Sequence, residues 1–84
     1  MKYKIEILPL ADYYVVAVKD KESLELKETF TLNESGADML RFFCQDLDVE
    51  AVAQKISDLY EVPIDSIIRD VNKFADNIRK KGLL

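Results

Sequence analysis

The stretch from Leu26 to Phe43, LKETFTLNESGADMLRFF, changes its hydrophobic period at one residue. Before Asn33, apolar and polar residues alternate with the two-residue period of a half-buried strand. After it, Ala37, Leu40, Phe43 and Cys44 recur at three- and four-residue steps, which is a helical stripe. Asn33 is a favourable N-cap, and Glu34 stands in the first turn, where the helix dipole favours a carboxylate. Strand and helix are therefore expected to meet at a corner without an intervening loop. The corner raises the question of which partner its unpaired strand edge would meet.

Two further strands are expected ahead of this corner. Tyr3-Lys4-Ile5-Glu6-Ile7 alternates strictly, and Pro9 with Ala11-Asp12 marks a turn. Tyr13 to Val18, YYVVAV, is aromatic and β-branched on both faces, as suits a middle strand. The third strand is expected over residues 24–32, with Leu24, Leu26, Phe30 and Leu32 on one face and Glu25, Lys27, Thr29 and Thr31 on the other. Beyond the corner, Leu47 completes the first helical stripe. Asp48 is placed to cap a second helix whose inward face is Val49, Val52, Ala53, Ile56, Leu59 and Tyr60. Val62-Pro63 ends it. A third helix follows from Ile64 to about Lys81 and stops at Gly82. Its stripe is Ile64, Ile67, Val71, Phe74 and Ile78, widened by Ile68 and Ala75. The order βββααα, with short connections and no repeat, predicts an α+β domain over residues 1–84, its helices packed on one face of a three-stranded antiparallel sheet.

Composition narrows the function. The chain has no histidine, which removes the commonest general base and zinc ligand, and it carries no phosphate-binding loop or nucleophile motif. No cofactor or metal is expected. Asp46/Asp48 and Asp65/Asp70 read as capping or solvated carboxylates, and Cys44 as a small buried hydrophobe. One cysteine, no apolar signal segment and no long apolar run predict a cytoplasmic protein without a membrane span. The net charge of −4 opposes binding to nucleic acid. The last helix is the locally basic part: residues 64–84 hold Arg69, Lys73, Arg79, Lys80 and Lys81 against Asp65, Asp70 and Asp76.

What remains is an edge. In a three-stranded sheet two strands keep unpaired backbone donors and acceptors. Residues 24–32 contain no Pro, and Thr29-Phe30-Thr31 favours strand pairing. An extended peptide could add there as a fourth strand. The alternatives are an edge blunted by Lys27 and Glu28, a homodimer pairing through the same edge, and a winged-helix domain reading nucleic acid.

Three features carry a resemblance to the PqqD family, whose members are also called precursor-peptide recognition elements. They are the Leu32-Asn33-Glu34-Ser35 corner, the second helix Val52/Ile56/Tyr60 ending in Tyr60-Glu61-Val62, and Asp70-Val71 with Phe74 before a closing Lys81-Gly82-Leu83-Leu84. The resemblance implies a winged-helix-like βββααα domain without catalytic activity. It implies binding of the leader of a ribosomally made precursor peptide, and delivery to a modifying enzyme, often a radical SAM enzyme. The chain itself is expected to be a monomer or a weak homodimer. Carried onto this chain, the docking strand is Leu26, Lys27, Glu28, Thr29, Phe30 and Thr31. The helix flank chosen by three- and four-residue steps is Asp65, Ile68, Asn72, Ala75 and Arg79. Two departures stand out: Pro63, where the family often has a polar cap, and Gly36 inside the first helix.

Overall fold

The computed structural model describes residues 3–84. Strands β1 (Lys4–Leu10), β2 (Tyr13–Lys19) and β3 (Leu26–Leu32) precede helices α1 (Glu34–Phe43), α2 (Val49–Tyr60) and α3 (Ile64–Lys80). The sheet is antiparallel in the order β1-β2-β3, so β1 and β3 are its edges. The expected α+β arrangement is the one observed.

Both helix starts follow from their caps. The Asn33 carboxamide oxygen accepts the Gly36 N–H at 2.9 Å, and Asp48 Oδ1 accepts that of Ala51 at 2.8 Å. The corner at Asn33 is therefore a direct strand-to-helix junction. Gly36 has a packing reason to be there. A Cβ at this position would lie 3.1 Å from Asn33 Oδ1 and 3.3 Å from Leu32 Cδ2. Alanine normally gains about 1 kcal/mol over glycine in a helix. Gly36→Ala is nevertheless expected to leave Tm unchanged or lower it, because the methyl group crowds the cap acceptor. Thermal unfolding of the variant checks this; a rise of several degrees would contradict it.

The core joins the helical side of the sheet to all three helices. Val16 and Val18 of β2 are buried with Leu40 and Phe43 of α1, Val52, Ala53 and Ile56 of α2, and Val71, Ala75 and Ile78 of α3. Leu83, past the left-handed Gly82, turns back into it. Helix α1 packs on β2 and β3, while α3 packs chiefly on α2.

Five expectations need correction. Ile64, read as part of the α3 stripe, is exposed. Pro9 lies within β1, opposite Tyr14, and the turn is at Ala11, whose φ is 56°. An edge strand accommodates Pro because it has one side without a partner. Leu24 is outside β3, with φ 61°, in a turn where Asp20 Oδ1 accepts the N–H groups of Glu22 and Ser23. Leu26 is in β3 but exposed, since the register slips between Val18 and Lys19 and the alternation reaches the core only from Glu28 onward. Leu59 and Tyr60 are on the outer side of α2; Ser57 takes the inward place instead, its hydroxyl donating to the Val62 carbonyl.

Candidate peptide-docking site

The order β1-β2-β3 leaves one whole side of β3 without a strand partner. Along it, Thr29 and Thr31 are exposed on the outer face, with Lys27 at the register slip. Glu28, Phe30 and Leu32 are half-buried on the face toward the helices. The strand thus combines unpaired backbone with a partly covered apolar row, at Phe30 and Leu32.

Lys81, the residue that caps the C-terminus of α3, reaches this strand. Lys81 Nζ donates to Glu28 Oε2 at 3.0 Å and lies 4.5 Å from the centre of the Phe30 ring. Both carboxylate and ammonium are about one-third exposed. The ion pair alone stabilises little, but the cation over the ring adds to it. Together they hold Lys81 across the start of the β3–α3 groove.

That contact identifies the flank of α3 nearest the strand. Successive residues advance about 100° around a helix, which puts Asp70, Phe74 and Asn77 on the Lys81 side. Ile67 and Phe74 are half-buried against the core there, and Phe74 stacks on Phe43 at 6.2 Å between ring centres. Arg79 instead lines a cavity of about 460 Å³ with Leu47, Asp48, Val49 and Glu50, at the start of α2. It pairs with Asp76 at 2.9 Å. Asp65, Ile68 and Asn72 share its side of the helix by the same geometry, and the Asn72 carboxamide donates to the Ile68 carbonyl at 3.1 Å. Ala75 is fully buried and offers no surface. By the Lys81 contact, β3 meets the end of the flank opposite the one the stepwise reading selects. Lys81, at the strand end of that flank, is not among the residues the stepwise reading selects. Its only signal in the sequence is a basic residue one turn past the apolar stripe.

The Tyr60 hydroxyl donates to Asp38, which also accepts from Arg41 at 3.0 Å, and Arg41 lies 5.2 Å from the Tyr14 ring centre. Burial first, and then the Asp38 carboxylate, push the Tyr60 phenol above its ordinary range. Burial likewise raises the Cys44 thiol, which disfavours the thiolate a nucleophile requires. Among the described residues no group of three or more His, Cys, Asp or Glu could hold a metal ion. No described helix is long and apolar enough to cross a membrane.

Comparison with known proteins bears on the fold and the family. No curated protein matches the chain. The solved structure of TbiB1 in complex with the TbiA(beta) leader peptide shares the fold: TM-score 0.69, 20% identity, with 100% of this chain and 94% of that one covered. The family model for coenzyme PQQ synthesis protein D matches residues 16–84, the second strand through the last residue. With the strand-to-helix corner, the free β3 edge and all three helices inside that match, the chain belongs to the PqqD family.

Proposed function

We propose that this protein is a non-catalytic adaptor that binds the leader segment of a ribosomally made precursor peptide and presents it to a modifying enzyme. The observation that carries the reading is the unpartnered edge of β3, reached from the end of α3 by Lys81. An extended peptide added there gains main-chain hydrogen bonds from β3, and alternate side chains enter the groove toward Phe30, Leu32 and the Phe74 side of α3. Strand addition needs no general base, nucleophile or metal, which suits a chain without histidine. Family membership supports the role, and so does the leader peptide bound to TbiB1, a protein of the same fold.

In this reading Leu26 to Thr31 supply the backbone. The helix contribution comes from Asp70, Phe74, Asn77 and Lys81 in place of Asp65, Ile68, Asn72, Ala75 and Arg79. The modifying enzyme would engage peptide and adaptor together, and a radical SAM enzyme is one class that uses such leaders.

Fluorescence anisotropy with a labelled leader, taken from whichever short precursor peptide is encoded beside this gene, tests the proposal. Saturable binding is expected, with no comparable signal from labelled duplex DNA. Lys81→Ala, which removes a contributing side chain from the groove, is expected to lower leader affinity about three- to tenfold while Tm moves little, since an exposed ion pair contributes about 1 kcal/mol or less. Binding to duplex DNA with a steep salt dependence, and none to the leader, would favour the nucleic-acid reading instead.

A further inference from the structure

The sheet has a second free edge, and its chemistry differs from that of β3. In β1, Ile5 and Ile7 are half-buried on the helical side, as is Tyr3 just ahead of the strand. Lys4 and Glu6 lie on the opposite side, 4.0 Å apart, where Lys19 also holds Glu6 at 2.9 Å. Pro9 and the exposed Leu8 and Leu10 confine the regular edge to the first half of the strand. The helices do not close over this half. Cavities of about 260 and 400 Å³ open beside it, both lined by Ile5 and Cys44. An edge with apolar residues on its inner row and no inward-pointing charge is one that proteins ordinarily cover.

The pattern at residues 3–7 is its own complement. When two copies of β1 run antiparallel about a two-fold axis through Ile5, Lys4 of each stands opposite Glu6 of the other. Tyr3 then stands opposite Ile7, and Ile5 faces itself. Opposite charges directly across an antiparallel pair are stabilising, and like charges are destabilising. The inner rows of the two strands merge over the cavities beside Ile5. An isologous contact of this kind closes at two copies, as most homo-oligomeric contacts do. We propose that β1 pairs with β1 of a second copy in this register, giving a continuous six-stranded sheet. Both β3 edges are then at its outer ends, free for the partner proposed above.

Charge reversal tests register and partner together. Sedimentation of the wild-type chain up to millimolar concentration is expected to show a reversible monomer–dimer equilibrium. Lys4→Glu alone and Glu6→Lys alone each place like charges in both cross-strand pairs, so each is expected to weaken dimerisation at least tenfold. An equimolar mixture of the two variants restores both opposite-charge pairs and is expected to recover the dimer as a heterodimer. Circular dichroism establishes that each variant is folded. Should Glu6→Lys unfold, Ile5→Cys in a Cys44→Ser background replaces it, and a disulfide-linked dimer under mild oxidation is the expected product. A wild-type chain that stays monomeric to millimolar concentration would overturn the proposal. A dimer indifferent to both reversals, or not recovered in the mixture, would equally overturn it, as would absence of the Ile5→Cys cross-link.

Discussion

A proline placed at the outward-facing position of β3 is expected to abolish leader binding without unfolding the protein. Consecutive residues of a strand direct their backbone groups to opposite sides. Of Glu28 and Thr29, one therefore donates toward β2 and the other toward the free edge. Neither side chain is in the core: Thr29 is exposed and Glu28 half-buried. Proline at the inward position breaks the β2–β3 ladder beside Val18 or Ala17 and should destabilise the fold by roughly 3 kcal/mol. At the outward position it removes only a donor that has no partner in the free protein. The added strand then loses one main-chain hydrogen bond and meets the pyrrolidine ring, a loss of at least about tenfold in affinity. The pair Glu28→Pro and Thr29→Pro thus separates folding from binding, with circular dichroism and leader titration as the two readings. If the variant that keeps its native melting temperature also binds the leader as the wild type does, strand addition at β3 is wrong.

The second large effect concerns the core that holds the groove in shape. Leu40 is fully buried on α1, the helix that packs directly on β2 and β3. Leu40→Ala is expected to cost about 3 kcal/mol, from lost apolar burial and the cavity left behind. A domain of this size has a total stability on the order of 5 kcal/mol, and Tm falls by several degrees for each kcal/mol lost. A decrease on the order of 15 °C is therefore expected, with β3 and α1 loosening together. Leu59→Ala makes the contrast: Leu59 is the same residue type on a helix, but 55% exposed. Its removal should change stability by about 0.5 kcal/mol or less. Equal losses in the two variants, measured by thermal or urea unfolding, would mean that the core described here is misplaced.

Much of this architecture is legible in the chain because it rests on local chemistry. Asn33 and Asp48 announce their helices through residue type alone, and each cap bond is formed as its position implies. The change of period at Asn33 gives the strand-to-helix corner. Val52, Ile56, Val71 and Ile78 are buried where the helical stripe puts them. What the chain did not disclose depends on packing between distant elements. Pro9 reads as a turn unless one knows that β1 is an edge. Leu24 and Leu26 continue the alternation on paper, yet the register slip opposite Val18 and Lys19 takes them out of the core. Leu59 and Tyr60 extend a helical stripe beyond the point where α3 covers it, and there the polar Ser57 finds a carbonyl to bond. The side of α3 that faces β3 is fixed by contacts such as Lys81 with Glu28, 53 residues apart, and by Arg79 lying against the start of α2. Helical spacing defines two flanks equally well, and the placement of α2 decides between them.

An amide-shift titration by NMR tests the central claim most directly, with labelled protein and the leader of whichever short precursor peptide is encoded beside its gene. Docking as a fourth strand predicts shifts concentrated in Leu26 to Leu32 and along Asp70, Phe74, Asn77 and Lys81, with β1 and the outer side of α2 unmoved. Shifts gathered instead at Asp65, Asn72 and Arg79, or on β1, would contradict the β3–α3 groove as the docking site. Saturating peptide with no shifts anywhere would contradict leader binding itself.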